Sequence, residues 1–446
     1  MTSPKDYREL FDAAPHDAAP HADARKPDAR KAWLPRLKIA AIEQFEAVGF
    51  PTTRDEDWHF TSVTPIAERT FKPAKPGPAT PLTANDLAPF TYGQSWHLLV
   101  FVNGHYEPAL SSFAQLDADV RVMTFSEALK EAPELLAERL GTLAPSAHAF
   151  TALNTAFLTD GVVIHVPRDI VVDEPVHILY LTDAHAANTS LHPRTLVVTD
   201  HGAQLTLIES FSSIGTAAHF TNHVAEVVVG DGARVDHYKV QRESGSAFHV
   251  GTTQAVQGRD SIYHSFSFAT GAQLSRTNVY SRLLGENAEV RLNGLYALEE
   301  AQHADHQTFV EHIAPSCSSR EVYKGIMDGT SHGVFNGKVF VHPEAQKTDG
   351  KQTNKALLLS EGARVDTKPQ LEIFADDVKC THGATVGRLD EMALFYMKSR
   401  GIGGERARAL LTYAFAAEVL ELIELEPLKL ALEASLFGRF IQAEPV

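Results

Sequence analysis

A short turn-plus-strand unit recurs through the middle of the chain and limits the folds that it can form. From about residue 160 to 385, β-rich runs alternate with turns rich in Gly, Asn and Asp. A Gly-Ala-polar-apolar tetrapeptide marks several of these turns, because glycine permits the turn and the alternation that follows starts a strand. Units of this kind without helical crossovers predict a parallel β-helix, which is a β-solenoid. The tetrapeptides lie at residues 202–205, 232–235, 271–274 and 362–365, with a degenerate copy at 287–290.

The spacing of these copies bears on the regularity of the solenoid and on its main alternative. The intervals between successive copies are unequal, which predicts rungs (full turns of the solenoid) of uneven length with insertions. An antiparallel β-sandwich would also show frequent turns. Its hairpins favour Asn-Gly or Asp-Gly between clean strands, and this chain has only approximate cases at Asn293-Gly294 and Asn336-Gly337. The pattern therefore favours the solenoid.

The regions on either side of the predicted solenoid differ from it in composition. Residues 1–30 are rich in Ala, Pro, His and Asp, and we expect a flexible tail. Residues 31–150 predict a helical or mixed region, with helical spacing from Trp33 to Val48, a Pro-rich linker at 72–81, and a helix from a Ser126 cap to about Leu140. The β-helix core is expected over 151–387. Helices are predicted near 390–400, 405–423 and from 427, within a helical region 388–446. We expect them to cap the open end of the solenoid or to form a docking platform, and the two roles are compatible.

Charge and cysteine content exclude several functional classes. The net charge of −16 argues against nucleic acid or an anionic membrane surface as a partner, since both require a basic patch. No apolar run approaches the ~18–20 residues of a membrane span. The first residues lack the apolar segment of a secretory signal, and two cysteines cannot form a disulfide framework. We therefore expect a cytoplasmic protein.

The segment 372–387, EIFADDVKCTHGATVG, holds the candidate site. Cys380 and His382 are two residues apart in a predicted strand, so both side chains point to one face. A thiolate and an imidazole together suit a thiophilic metal such as iron or zinc. Asp376 has the same parity and is a possible accessory ligand. Two ligands do not complete a tetrahedral site, so the remaining ligands must come from elsewhere.

Motifs of known enzyme classes are missing from the sequence. It contains no dinucleotide or phosphate-binding glycine loop, no nucleophile elbow and no HExxH zinc motif. An i, i+2 pair on a strand is also poor geometry for proton transfer between Cys380 and His382. We predict no catalytic residue and no permanent metal site. The other cysteine, Cys317, is expected to be structural or incidental, and most of the histidines at 303, 306, 312, 332 and 342 are expected to be hydrogen-bonded surface or core residues.

Three blocks of the chain resemble the core of the SufB/SufD family of iron–sulfur cluster assembly proteins. They are 219–241, 318–341 and, most specifically, AQKTDGKQTNKALLLSEGARVDTKPQLEIFADDVKCTHGATVG (345–387). The segment RDEDWHFT (54–61) is similar to a Trp-containing segment typical of the SufD type. In the position of the reactive cysteine of SufB this chain has Ala363, and where SufB has Glu after the histidine it has Gly383. Both differences imply that this chain lacks the catalytic residues of SufB.

This resemblance implies a fold, partners and roles for the candidate residues. It implies a right-handed parallel β-helix flanked by helical regions, forming a heterodimer with a SufB-like paralogue through the β-helix. A SufC-like ABC ATPase would bind the C-terminal helices, and we name Asp390, Tyr396, Arg400, Leu411 and Phe415 as candidate docking residues. The family's interface histidine falls on His382, with Cys380 in the same motif. A transient iron–sulfur cluster would form at that interface, and no permanently bound cofactor is predicted.

Three hypotheses follow for the function. The first is a non-catalytic scaffold subunit of a SufBCD-type complex, with His382 and Cys380 contributing to a site shared with the partner. The alternative is a carbohydrate-active β-helix enzyme, a lyase or glycosidase, which requires a groove lined with acids and aromatic residues. A self-sufficient metal-binding protein is the third, and it requires distant histidines to converge. A homodimer in isolation is compatible with an exposed solenoid face.

Overall fold

The chain folds into a parallel β-solenoid with helices packed on its flanks. The structure, a computed structural model, describes residues 4–13, 33–74, 82–93, 96–113, 116, 119–144 and 148–441. The strands are β1 (Lys72–Pro73), β2 (His97–Val102), β3 (His105–Tyr106), β4 (Arg121–Thr124), β5 (Gly161–Val166), β6 (Val176–Thr182), β7 (Thr189–Leu191), β8 (Arg194–Thr199), β9 (Gln204–Ser213), β10 (Phe220–Val229), β11 (Arg234–Arg242), β12 (Phe248–Gln257), β13 (Ile262–Thr270), β14 (Leu274–Leu283), β15 (Glu289–Leu298), β16 (His303–His312), β17 (Ser318–Met327), β18 (His332–Val341), β19 (Thr348–Leu358), β20 (Arg364–Ile373) and β21 (Val378–Gly387).

Ten α-helices accompany the solenoid in the described residues. None of them is both long enough and apolar enough to cross a membrane. In chain order they are α1 (Pro4–Ala13), α2 (Trp33–Val48), α3 (Thr64–Ala67), α4 (Ala84–Leu87), α5 (Phe125–Glu131), α6 (Pro133–Arg139), α7 (Ala149–Ala156), α8 (Glu391–Ser399), α9 (Gly404–Leu420) and α10 (Glu426–Ile441).

Two sheets form the walls of the solenoid. One follows the order β21-β19-β17-β15-β13-β11-β9-β6-β2-β3, and the other runs β20-β18-β16-β14-β12-β10-β8-β5-β4. Among the strands described, those from β5 to β21 pair with one another in parallel, and antiparallel pairs occur only where β3 and β4 join the first strands. The prediction of a parallel β-helix is therefore confirmed, and the sandwich is excluded.

The rungs are nearly even in length, so the prediction of uneven rungs is wrong. Strands of the first sheet begin at positions 204, 234, 262, 289, 318, 348 and 378, so the repeat is almost constant from one rung to the next. The tetrapeptide spacing was misleading because its copies mark two different corners. Gly202 and Gly232 precede strands of the first sheet, whereas Gly271 and Gly362 precede strands of the second.

One corner of each rung carries a residue in the left-handed backbone conformation. Its N–H donates to the carbonyl of the residue that precedes the same corner in the next rung, for example Gly202 to Asp231 and Ser316 to Gln346. The following residue is usually small and buried, which explains the Gly-Ala copies at 202–203 and 232–233. Cys317 occupies this small-residue position, so it is structural as predicted. The left-handed residues, with φ of 56° to 68°, are Asp169, Gly202, Gly232, Asp260, Asn287, Ser316 and Lys347.

The N-terminal part is built onto the second sheet and does not form a separate domain. Helices α1, α2 and α7 share an apolar cluster with Phe220 and Phe248 on the outer face of that sheet. The predicted flexible tail is wrong for residues 4–13, because Tyr7 and Phe11 of α1 are buried in this cluster. The rest of that tail, and most of the predicted linker at 72–81, lie outside the described residues.

The predicted helix from a Ser126 cap to Leu140 is also corrected. Thr124 is the cap, since its hydroxyl accepts from the N–H of Glu127 and the Glu127 carboxylate accepts from Thr124 in return. Pro133 then ends α5 and starts α6, because proline lacks the N–H that would continue the helix.

The C-terminal helices cover the flank of the first sheet and leave the end of the solenoid open. Leu428, Leu432 and Leu436 of α10 are fully buried against outward-facing residues of that sheet, as are Val419 and Leu420 of α9. The helices predicted at 405–423 and from 427 are confirmed as α9 and α10. Their predicted role as a cap is wrong, because their apolar faces pack beside the rungs and not over the last one.

Candidate functional site

The open end of the solenoid is formed by the last two strands. Strand β21 pairs only with β19, and β20 pairs only with β18, so among the described residues each has one unpaired edge. Such an edge presents backbone N–H and C=O groups that another strand can bind. Apolar side chains are exposed here as well: Ile373, Phe374 and Val386.

Cys380 and His382 lie on β21 at this end. They are at alternate positions of one strand, as predicted, and share the face that continues the solenoid interior. Cys380 is half-buried against the small apolar cluster of Val339, Val341 and Ala345. Gly350 lies beneath it, and a Cβ there would be 3.3 Å from the Cys380 Sγ. Burial raises the pKa of the Cys380 thiol, which disfavours the thiolate that binds metal.

His382 is exposed and is the more available ligand. No hydrogen bond or ion pair involves its side chain within the described residues, whereas most of the other histidines have partners. In the described residues, Cys380 and His382 also belong to no group of three side chains placed to bind a metal. From this chain alone the ligand set is therefore incomplete.

Asp376 is placed differently from its prediction. It lies in an exposed bend between β20 and β21, before the strand begins. Side chains alternate between two faces only within a strand. Strand parity therefore does not place Asp376 on the face of Cys380 and His382. Asp377 belongs to the same bend, where its N–H donates to Gln346 Oε1 at 2.9 Å.

The histidines that cluster in the sequence do not converge on a common site. His306 is buried against the ring of Tyr296, with centroids 4.8 Å apart. The rings of His303 and His332 contact each other, with centroids 4.7 Å apart. Each of the other four histidines nevertheless has its own hydrogen-bond partner: His303 with Thr61, His312 with Ser319, His332 with Asp366 and His342 with Glu311, at 2.7 to 3.0 Å.

One trio in the described residues has metal-ligand atoms within 4.8 Å of one another, and it is an ion-pair cluster. Asp236, His264 and Glu424 surround the Arg234 guanidinium, which donates to Asp236 at 2.8 Å and also to Glu424. The positive charge that these carboxylates attract is therefore already supplied. The cluster ties the α9–α10 connection to the first sheet.

An exposed apolar stripe on α8 is the second feature of this end of the chain. The helix follows β21 after a short connection, is capped by Asp390, and is held by the buried Leu394. Met392, Phe395 and Tyr396 are 73%, 68% and 56% exposed, at the i, i+3, i+4 spacing of one helix face.

Only two of the five candidate docking residues lie on this surface. Tyr396 is exposed, and the Arg400 guanidinium lies 4.3 Å from its ring centre. Asp390 is the helix cap, Leu411 is half-buried, and the Phe415 ring packs against the flank beneath Lys324 Nζ at 4.5 Å. The sequence reasoning missed Met392 and Phe395, although their helical spacing with Tyr396 was available.

Two connected grooves of about 370 Å³ each lie on the outer face of the second sheet. Aromatic residues line them, including Trp58, Tyr280 and Phe309. The two glutamates that line the second groove are ion-paired with lysines: Glu56 with Lys368 at 2.8 Å, and Glu372 with Lys338 at 2.7 Å. These two ion pairs differ from the free acid and base that a glycosidase uses.

Comparisons with known proteins account for nearly the whole chain. A family model described as "SUF system FeS cluster assembly, SufBD core domain" matches residues 180–415, and one for the "SufBD protein N-terminal region" matches residues 1–178. The boundary between the two family models, near residue 179, lies within β6.

Relatives of full length agree with these models. The chain is 34% identical to an iron–sulfur cluster assembly SufBD family protein of Synechocystis, over 90% of this chain and 88% of the relative. It is 34% identical to the iron–sulfur cluster assembly protein SufD of Escherichia coli, over 87% and 89%, and 28% identical to SufD of Bacillus subtilis, over 89% and 92%. The protein therefore belongs to the SufBD family of iron–sulfur cluster assembly proteins.

Proposed function

We propose that this chain is a non-catalytic scaffold subunit of a SufBCD-type complex. In this role a SufB-like partner binds the open end of the solenoid, His382 supplies a ligand to a transient cluster at the interface, and a SufC-like ATPase binds the α8 stripe. The observation that carries the proposal is the position of an exposed His382, unpartnered within the described residues, on the last strand of an open solenoid.

The open end has the properties of a surface that a second β-helix would cover. Its two edge strands offer backbone hydrogen bonds, and its exposed Phe374 and Val386 offer apolar contact area. An uncovered edge of this kind is a liability that proteins normally block. A partner of similar architecture would satisfy the strand edges and bury the apolar side chains together.

The incomplete ligand set suits a site of assembly and release. Imidazole and thiolate are both workable ligands for iron in clusters. A cluster held from one side by His382, with Cys380 as a weaker ligand, requires the partner to complete its coordination. Separation of the two chains would then open the site and release the product.

Reconstitution with SufB-like and SufC-like partners tests the role of His382. We expect His382→Ala to abolish cluster formation, followed by absorbance and iron content, while the complex still elutes as one species. Thr381→Ala is the matched control, because Thr381 is the adjacent residue on the opposite face of β21. Full cluster yield in His382→Ala would refute the shared site.

The partner interface is tested separately by a charge at the open end. Val386→Asp is expected to weaken binding of the SufB-like partner by tenfold or more, measured by titration calorimetry. Leu284→Asp is the control, since Leu284 is similarly exposed (47% against 49%) but lies elsewhere on the solenoid. If Val386→Asp instead leaves the heterodimer intact and dissociates a homodimer, the open end pairs with a second copy.

Point variants are the appropriate test of ATPase docking. Deleting the residues after about 400 would remove α9 and α10, which bury the flank of the first sheet, so loss of binding could reflect misfolding. Phe395→Asp is expected to release the ATPase, whereas Leu430→Asp on α10, also an exposed apolar side chain, should not. Equal binding by both variants would refute docking on α8.

A further inference from the structure

A column of polar side chains leads from the solenoid interior to His382. The strand registers pair Glu321 on β17 with Gln352 on β19, and Gln352 with His382 on β21. Residues paired in neighbouring parallel strands lie about 4.8 Å apart and point to the same face. Glu321 and Gln352 are both 1% exposed, so they lie in the interior directly behind the exposed imidazole.

The Gln352 amide nitrogen makes a hydrogen bond, whereas its oxygen has no partner among the described residues. Its Nε2 donates to Glu321 Oε1 at 3.3 Å, and Thr308 Oγ1 donates to the other Glu321 oxygen. The Gln352 Oε1 is buried and has no hydrogen-bond partner among the described residues. A buried acceptor without a donor costs roughly 1–3 kcal/mol, so such an atom requires an explanation.

The surroundings are shaped to hold this amide. A Cβ on Gly337 would lie 1.9 Å from Gln352 Nε2, so only glycine at 337 leaves space for the amide where it lies. When it is ionised, Glu321 fixes which way the amide faces, because a carboxylate accepts from Nε2 and not from Oε1. Because Nε2 faces Glu321, Oε1 is the atom available to accept a hydrogen bond from a side chain on the neighbouring strand, β21.

We propose that Gln352 positions His382 for cluster binding: rotation of the exposed imidazole, which has no hydrogen bond among the described residues, brings one ring N–H to the unpaired Gln352 Oε1, while Glu321 fixes the amide. This inference rests on the proposed function of His382 and names two residues that act through it. Histidine ligands generally donate their second ring N–H to a carbonyl or carboxylate, which fixes the tautomer and leaves the other nitrogen free for the metal. Gln352 and Glu321 would be positioning residues, since neither touches the cluster.

The tautomer of His382 in the isolated full chain provides a readout that needs no cluster. Ring-¹⁵N-labelled protein is measured at pH 8, and the His382 signals are assigned by their loss in His382→Gln. We expect one tautomer in the wild type and averaging of both in Gln352→Met, which keeps the length of the side chain but removes the acceptor.

Asn354→Leu is the matched control. Asn354 lies two residues along β19 on the same face, and its Oδ1 is likewise buried without a partner among the described residues, but its register neighbour is Ala384. This variant should leave the His382 tautomer unchanged. Averaging in the wild type, or a single tautomer in Gln352→Met, would overturn the proposal.

Cluster assembly in the reconstituted complex distinguishes failure of this inference from failure of the proposed function. We expect Gln352→Met to lower the affinity for the nascent cluster roughly 10- to 100-fold, with Asn354→Leu near the wild type. If His382→Ala abolishes assembly but Gln352→Met does not reduce it, the positioning role is wrong and the proposed function stands. If His382→Ala has no effect, the proposed function itself fails.

Discussion

Arg194 and Glu226 form a fully buried ion pair that joins the N-terminal part of the chain to the solenoid. They lie on the adjacent strands β8 and β10, facing outward. Glu226 also accepts from three backbone N–H groups that follow α6, those of Gly141, Leu143 and Ala144, at 2.9 to 3.2 Å. One carboxylate therefore fixes both a guanidinium and a loop.

Replacing this carboxylate should be strongly destabilising. Glu226→Gln leaves the Arg194 charge buried without its counter-ion, and removing one partner of a buried pair costs about 3–5 kcal/mol. We expect a clear fall in Tm, measured by circular dichroism. Glu372→Gln breaks the partly exposed pair with Lys338 and should cost no more than about 1 kcal/mol. An equal fall in Tm for Glu226→Gln and Glu372→Gln would contradict the claim that burial makes the Arg194–Glu226 pair the costlier one to break.

The left-handed corner gives a prediction that depends on the backbone alone. Gly232 has φ of 66°, and a Cβ there would meet nothing closer than 3.9 Å, so Gly232→Ala introduces strain without a clash. We expect a loss of roughly 1–2 kcal/mol in the free energy of unfolding. Gly245→Ala is the control, because Gly245 has open space and no positive φ. No difference between the two in urea unfolding would refute the argument.

The buried Glu321 predicts a pH dependence of stability. Burial raises the pKa of its carboxyl to about 7, from 4.5. Between about pH 4.5 and 7, the folded chain keeps a proton that the unfolded chain has released. The contribution of Glu321 to the free energy of unfolding is therefore fully present below about pH 4.5 and is lost as the pH rises to about 7. Wild type should lose Tm relative to Glu321→Gln across that window. The comparison isolates Glu321, because the histidines are the same in both chains.

Lys324 anchors α9 on the flank of the first sheet. Its buried ammonium donates to the Phe415 carbonyl at 2.6 Å and to the Glu418 carboxylate. Lys324→Met keeps the apolar stem but removes about 1.5–3 kcal/mol of charged hydrogen bonding. Amide hydrogen exchange in α9 should therefore accelerate, roughly ten- to hundredfold. Lys355→Met, which removes only an exposed 3.5 Å contact to Glu418, should leave the exchange nearly unchanged.

The two cysteines should differ in reactivity. Burial raises the pKa of both thiols, but Cys317 is fully buried at a corner whereas Cys380 is half-buried at the open end. Iodoacetamide at pH 7.5 should modify Cys380 more slowly than glutathione, and Cys317 only on unfolding. Mass spectrometry of the modified chain measures both rates. Rapid alkylation of Cys317 would contradict its structural role.

The parts of the fold that follow from local pattern could be predicted from the sequence. Period-2 alternation with glycine turns indicated the solenoid, and the spacing of Leu428, Leu432 and Leu436 indicated α10. The stacking of rungs could not be derived in the same way, because Asp260, Ser316 and Lys347 adopt the conformation of Gly202 without sharing its residue type. The corner tolerates several residues, so the motif marks it only in part.

The sequence predicted the pair of Cys380 and His382, but not the residues stacked behind His382. Cys380 and His382 are close in sequence, so strand parity was enough to place them together. Gln352 lies one rung earlier in the chain and Glu321 two rungs earlier, and only the register of the stacked strands brings them behind His382. The sequence also could not predict that the C-terminal helices pack on the flank of the first sheet, because an apolar stripe does not indicate which surface it covers.

The hydrogen-bonded corners also restrict how proteins with this architecture can change in length. Each corner N–H requires a carbonyl one rung further along, and every inward side chain requires a neighbour in its column. An inserted residue within a strand would break both relationships for all later rungs, whereas duplication of one complete rung would preserve them. The solenoid can therefore lengthen during evolution by whole rungs, and smaller insertions are confined to the corners between strands.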